Sequence, residues 1–147
     1  MASIITSVTN TLAENFGGPA HSLAAKEHQF TIEEVPDQSG KVAVITGGSE
    51  GIGYGVSHTL LKRNIAKLFI LSMSSEVVQN ATHAVREEMG DEAAKKITWI
   101  QCEMSDWKQV YEVAERIKKE TDRLDILINN AARGIMTYQV TDYGVDR

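Results

Sequence analysis

Cysteine is nearly absent from this chain: Cys102 is the single thiol in 147 residues. One thiol excludes an internal disulfide framework and fits a reducing compartment, so a cytoplasmic location is expected. Positive charge is in short supply, with 15 Lys and Arg against 20 Asp and Glu, for a net charge of −5 and a pI near 5.4. Nucleic acids and anionic membranes call for clustered basic residues, so neither is an expected partner. No run approaches the ~18 apolar residues of a membrane span. Before Lys26 there is no Lys or Arg. That beginning resembles neither a secretory signal, with its basic start and apolar centre, nor an arginine-rich mitochondrial presequence.

What is present suits a folded domain. The chain is 42% hydrophobic and 24% charged, which argues against global disorder and leaves enough apolar material for a core. Ile4, Val8, Leu12 and Phe16 recur every four residues and can form one stripe of a short helix, ended by Gly17-Gly18-Pro19. Residues 1–40, closing on the turn-rich stretch Glu33 to Gly40, read as a partly ordered N-terminal arm. A docking arm is the simpler reading, since a membrane-surface anchor needs a basic face.

From Lys41 the pattern alternates. Lys41 to Thr46 is a short β-branched run, the mark of a strand buried on both faces. A glycine-rich turn follows, then a helix from Ile52 to Arg63 with Val56, Leu60 and Leu61 inward. Lys67 to Leu71 is a second strand. Ser74 or Ser75 caps a second helix, with Val78, Ala81, Val85 and Met89 inward and Gly90 at its end. Ile97 to Cys102 is a third strand. Ser105 caps a third helix, with Trp107, Val110, Ala114 and Ile117 inward and the pairs Glu112/Arg116 and Glu115/Lys119 outward. Leu124 to Ile128 is a fourth strand, followed by Asn129-Asn130-Ala131-Ala132. Right-handed crossovers between such strands predict an α/β fold, a doubly wound parallel sheet of the Rossmann type, with ligands at the carboxyl ends of the strands.

The turn Thr46-Gly-Gly-Ser-Glu-Gly-Ile-Gly53 joins the first strand to the first helix. Glycines let backbone approach a ligand closely, and the free N–H groups and dipole of a helix start favour a phosphate anion. Gly53 and Gly55 are expected to make room for the helix against the sheet. The spacing is G-x-x-x-G-x-G, and its place between strand and helix makes it a dinucleotide-binding candidate.

Thr46-Gly47-x-x-x-Gly51-x-Gly53 together with Asn129-Asn130-Ala131-Ala132 resembles the short-chain dehydrogenase/reductase family over Phe30 to Arg147. The resemblance implies NAD or NADP as cofactor and makes residues 41–147 part of the NAD(P)-binding Rossmann domain, its N-terminal half. It places Gly47, Ser49, Gly51, Ile52 and Gly53 around the pyrophosphate, Glu103 at the adenine, and Asn130 and Ala131 near the nicotinamide ribose. Two residues depart from the family pattern: Ala132 stands for Gly, and Glu103 for Asp. Ser72, Met73 and Ser74 end the second strand with no charge, so either cofactor fits there, while Glu50 disfavours the extra phosphate of NADP.

The family's catalytic Ser and Tyr-x-x-x-Lys are absent. Tyr54, Tyr111, Tyr138 and Tyr143 are followed four residues on by His58, Glu115, Asp142 and Arg147. The chain therefore reads as a C-terminally truncated cofactor half of an oxidoreductase for an alcohol or carbonyl substrate, without activity of its own. A non-catalytic dinucleotide-binding or interaction module is the alternative. The family's strand order makes the fourth strand central, so its outer side is expected to be an exposed apolar edge prone to self-association. His21, His28, His58 and His83 show no metal spacing. Cys102 is expected to be buried and inert, Trp99 and Trp107 to pack in the core, Asp106 to serve the third helix start, and Arg133, Tyr138 and Tyr143 to be surface or ligand-side residues.

Overall fold

Lys41 introduces the first strand, β1 (Val42–Thr46), and every residue of it is buried. The computed structural model describes residues 30–133 and 140–144. The chain divides into residues 1–35 and residues 36–147. In the first unit the described part holds one 3-10 turn, Ile32–Glu34. The Ile4, Val8, Leu12 and Phe16 stripe, the Gly17-Gly18-Pro19 turn, His21, His28, Tyr138 and Arg147 lie outside the described residues.

In the second unit β1 is followed by α1 (Gly51–Lys62), β2 (Lys67–Ser72), α2 (Ser75–Met89), the short α3 (Asp91–Lys95), β3 (Ile97–Gln101), α4 (Trp107–Glu120) and β4 (Ile126–Ile128). The strands lie in the order β3-β2-β1-β4, and every pairing is parallel. This is the alternating α/β arrangement that the apolar runs predict, and its reason is visible in the two cores. Ala43 and Ile45 of β1 join Leu68 and Ile70 of β2 under Leu60, Leu61, Val78 and Val85 from α1 and α2. The alternate residues Val42, Val44, Phe69 and Leu71 join Val113 and Ile117 of α4 on the other face. Successive strand side chains point to opposite faces, so two buried faces demand continuous apolar runs.

Element ends follow the predicted signals with local corrections. α1 runs one residue earlier than expected, with Arg63 as its C-cap and Asn64 in the left-handed region at φ 65°. Asparagine tolerates that conformation and stops the helix as glycine would. Ser74 caps α2, its hydroxyl accepting from the Val77 N–H at 3.3 Å. Ser105 does not cap α4. Asp106 does, its Oδ1 accepting from the N–H groups of Lys108 and Gln109 at 3.0 and 3.1 Å. Val113 and Ile117 are buried, Ala114 is exposed, and Trp107 is 57% exposed rather than in the core. Trp99 does pack partly against the core. The outer ion pairs of α4 are Arg116–Glu120 and Glu115–Lys118, not the predicted partners.

β4 is the outermost strand described and is shorter than the run Leu124 to Ile128. Leu124 is exposed. Asp125 replaces one rung of the ladder with its carboxylate, which accepts the Val42 N–H at 2.8 Å while its own N–H donates to Val42 O at 3.0 Å. Arg123 chelates the same carboxylate at 2.6 and 2.9 Å. These bonds, the guanidinium first, hold the Asp125 carboxyl below its ordinary range.

Two predictions follow from the packing. Phe69→Ala, at a fully buried position, is expected to cost about 3–5 kcal/mol, and Trp107→Ala within roughly 0.5 kcal/mol, by chemical denaturation. The depressed Asp125 carboxyl contributes stability that is present above its unfolded range and lost as pH falls through its folded value. Asp125→Asn is expected to remove that part of the acid sensitivity, read as a flatter denaturation midpoint against falling pH.

Candidate functional site

A cavity of about 550 Å³ opens at the carboxyl ends of all four strands, a size typical of small-molecule sites. The turn after β1 contributes Gly47, Ser49, Glu50, Ile52 and Gly53. The β2 exit contributes Leu71 to Ser74, the β3 exit Cys102 to Ser105, and the β4 exit Asn130 to Arg133. The structure thus brings together every predicted site residue except Gly51, which does not line the cavity.

The floor is built by Thr46 and Asn130. The buried Thr46 hydroxyl accepts the N–H groups of Asn130 and Ala131 at 3.0 and 2.9 Å. The Asn130 amide returns two bonds, donating to the carbonyls of Thr46 and Gly47 at 3.0 and 3.1 Å. Asn130 therefore lines the cavity while its side chain amide is engaged by backbone. Thr46 heads the glycine motif in the sequence, but nothing in the sequence alone assigns it this role.

Above that floor the backbone passes closely over itself. Gly47 sits at φ +64°. A Cβ on Gly53 would collide with the Gly47 carbonyl and lie 2.5 Å from Asn130 Nδ2. Gly53 thus provides room as expected, and Gly55 does not: a Cβ there meets nothing within 4 Å. Its expected part falls to Gly48, where a Cβ would lie 2.5 Å from the Ile45 side chain and 2.9 Å from Ser57 Oγ. Ser57, buried in α1, donates to the Gly48 carbonyl at 2.8 Å and locks the helix onto the turn. A serine inside an apolar helix face was the available signal for this contact.

The start of α1 is open to ligand. Glu50 is its N-cap and makes no side-chain capping bond, which leaves the first N–H groups for an acceptor. Ser49 is only 7% exposed and lines the cavity, and its hydroxyl has no hydrogen-bond partner among the described residues. Ile52, 82% exposed, stands at the rim. Unused N–H donors and a positive helix end are what a diphosphate requires.

The other exits are more committed. The Ser72 hydroxyl accepts from Trp99 Nε1 at 3.1 Å, and the Met73 carbonyl accepts from Gln101 Nε2 at 3.2 Å. Glu103 Oε1 accepts from the Ser105 N–H and hydroxyl at 3.2 and 3.0 Å, and its own N–H donates to Gln109 Oε1 at 2.5 Å. Glu103 thus reaches the cavity as a carboxylate already half-used by its own loop. The hydrogen bond of Tyr143 to Asp106, and after it the charge of Asp106, raise the phenol's pKa. Burial, then Asp106 and Glu103, push the Cys102 thiol up, which leaves it protonated and a poor nucleophile. Arg133 is the one cation among the lining residues, against Glu50 and Glu103. Among the described residues no cluster of His, Cys, Asp or Glu can hold a metal ion, and no helix is long and apolar enough to cross a membrane. His58 pairs with Glu88 at 2.8 Å, and His83 is exposed.

The sequence pattern of the short chain dehydrogenases matches residues 41–143. The chain belongs to this family. It is 56% identical over 140 residues to bli-4 of Neurospora crassa, a protein whose name describes an oxidoreductase and carries the word mitochondrial; the match covers 95% of this chain and 34% of bli-4. Two solved structures share its fold at 28% identity. One is the RhlG/NADP active-site complex of Pseudomonas aeruginosa, with TM-score 0.55, covering 66% of this chain and 36% of that one. The other is L-sorbose reductase of Gluconobacter frateurii complexed with NADPH and L-sorbose, with TM-score 0.57, covering 67% and 36%. The chain spans about a third of the length of the relatives it matches. In this member of the family the glycine turn is the feature most exposed to test. Gly53→Ala is expected to destabilise by about 1–3 kcal/mol through overpacking. Gly55→Ala is expected to stabilise by about 0.8–1 kcal/mol through helix propensity, both read by thermal and chemical denaturation.

Proposed function

We propose that this chain binds NAD or NADP as the cofactor-binding portion of an oxidoreductase that acts on an alcohol or carbonyl, and that it does not turn over substrate by itself. The observation that carries the reading is the uncapped start of α1 beside the unpartnered Ser49 hydroxyl at the cavity wall, over the close passage of Gly53 on Gly47. That cradle fits a diphosphate and would not fit one if a side chain filled it. Gly47, Ser49, Gly51, Ile52 and Gly53 hold the pyrophosphate, Ser72 and Met73 face the adenosine ribose, Glu103 faces adenine, and Asn130 and Ala131 face the nicotinamide side. Residues 41–147 are the dinucleotide-binding domain, and residues 1–40 an arm before it. The NADP and NADPH complexes of RhlG and L-sorbose reductase support the cofactor class.

The bound nicotinamide supplies a hydride. The chain's own residues orient it: Thr46 and Asn130 fix the height of the β4 exit, and the α1 amides fix the diphosphate. Completing reduction of a carbonyl also takes a proton donor. The sequence holds no Tyr-x-x-x-Lys, and the thiol of Cys102 is buried, which is why we assign this chain binding and no turnover. A substrate site requires further residues. Leu127, 58% exposed on the outermost strand β4, favours a second role as an interaction edge, for self-association or for a partner chain. For location we propose the cytoplasm, on the single reduced thiol; the mitochondrial label of bli-4 makes microscopy of the tagged chain the deciding measurement.

Titration of the folded chain with NADH and NADPH tests the reading. Micromolar binding of either is expected, without oxidation of the cofactor by added aldehydes and ketones. Ser49→Ala is expected to weaken binding by roughly tenfold, since it removes a hydrogen bond to a charged group. A folded sample that binds neither cofactor would refute the reading.

A further inference from the structure

β4 pairs with β1 on one side, and among the described residues no strand pairs with its other side. Which groups face outward follows from the ladder. The Asp125 N–H donates to Val42 O at 3.0 Å, and successive residues of a strand turn their N–H and C=O groups to alternate sides. Asp125 and Leu127 therefore face β1, and Ile126 and Ile128 present their N–H and C=O groups outward. Ile126-Leu127-Ile128 holds no charge and no proline to turn a second strand away. Leu127, in register with Val44, points to the sheet face that α4 covers elsewhere, yet it is exposed.

We infer that a second copy of this chain occupies that edge, β4 against β4 in antiparallel pairing about a twofold axis at Leu127. The register follows by elimination. An axis at Ile126 needs Leu124 in the ladder, but the strand begins at Ile126. An axis at Ile128 needs the Asn130 N–H, which already donates to Thr46 Oγ1. An axis at Leu127 needs nothing more. Ile126 of each copy exchanges both bonds with Ile128 of the other, and every outward group of β4 is paired. Leu127 then meets Leu127 of the second copy at the non-hydrogen-bonded position, where Cα atoms approach to about 4.5 Å, and each covers the other's exposed side chain. Charge does not oppose the contact. Asp125, closed in its ion pair with Arg123, comes opposite Asn129 of the second copy, and Arg123 opposite Ala131. So short a strand buries less than the ~800 Å² per partner of a standard interface, so the dimer is weak and reversible. The inference deepens the interaction-edge reading of β4 and rests on it.

Analytical ultracentrifugation of the 147-residue chain is expected to show a monomer–dimer equilibrium in the micromolar range and nothing larger, because a twofold contact closes on itself. Leu127→Lys and Leu127→Glu each set like charges face to face and are expected to weaken association roughly tenfold. An equal mixture of the two variants is expected to restore the dimer. Leu127→Cys is expected to cross-link to itself under mild oxidation, since the Cα spacing suits a disulfide. Leu124→Cys is not, and the native Cys102 is buried. A dimer that Leu127→Lys leaves intact, or equal cross-linking from positions 124 and 127, overturns this register and leaves β4 an interaction edge. A wild type that stays monomeric throughout the micromolar range, or that grows past the dimer, overturns self-pairing altogether. Should the charged variants fail to fold, the cysteine pair decides. Cofactor titration of the same samples reads the dinucleotide proposal separately, since binding by a monomer would leave it standing.

Discussion

Four hydrogen bonds, three to Thr46 and one to the Gly47 carbonyl, tie the exit of β1 to the Asn130-Ala131 backbone and the Asn130 amide at the exit of β4. The rest of the site depends on that tie. β4 contributes only three residues of ladder, too few to fix its height against β1 by itself. A threonine hydroxyl and an asparagine amide supply the missing register. The amide also satisfies the carbonyls of Thr46 and Gly47. Each such bond contributes about 0.5–1.5 kcal/mol net, and leaving one buried partner unmade costs more.

The same tie sets how close α1 can come. Asn130 Nδ2 and the Gly47 carbonyl together occupy the space a side chain at position 53 would need. A glycine there follows from the clamp, and the approach of α1 to the turn follows from the glycine. Ser57 then fastens the helix from the other side through the Gly48 carbonyl. What remains open after these contacts is the helix start itself, with its unused N–H groups and the unpartnered Ser49 hydroxyl. The proposed diphosphate site lies there because the neighbouring polar groups are satisfied internally and these are not.

The outer strand shows a different economy. Asp125 takes the Val42 N–H with a side chain where backbone would serve, and Arg123 holds that carboxylate in its charged form. The strand begins only after this exchange, which is why an apolar run of five yields three residues of β4. Leu124 and Leu127 are left facing outward. Much of the fold was legible beforehand because β1 and β2 are buried on both faces and announce it with unbroken apolar runs. Less legible was α4. Two adjacent polar residues, Ser105 and Asp106, could cap it, and Trp107, the first residue after the cap, stays exposed although Ile117 of the same helix is buried.

The sequence by itself determined the order of the elements, the parallel character of the sheet and the place of the glycine turn. These follow from local periodicity and from the stereochemistry of strand-to-helix turns, which act between near neighbours. The tertiary structure alone decided which glycines are indispensable, that Thr46 and Asn130 clamp the two strand exits, and that Trp99 holds the hydroxyl of Ser72. The clamp and the Trp99 contact join residues 27 to 85 positions apart. Gly48 and Gly55 look alike in a sequence. Only the packing of Ile45 and Ser57 around one of them distinguishes the two, because a steric demand exists only where another part of the chain arrives.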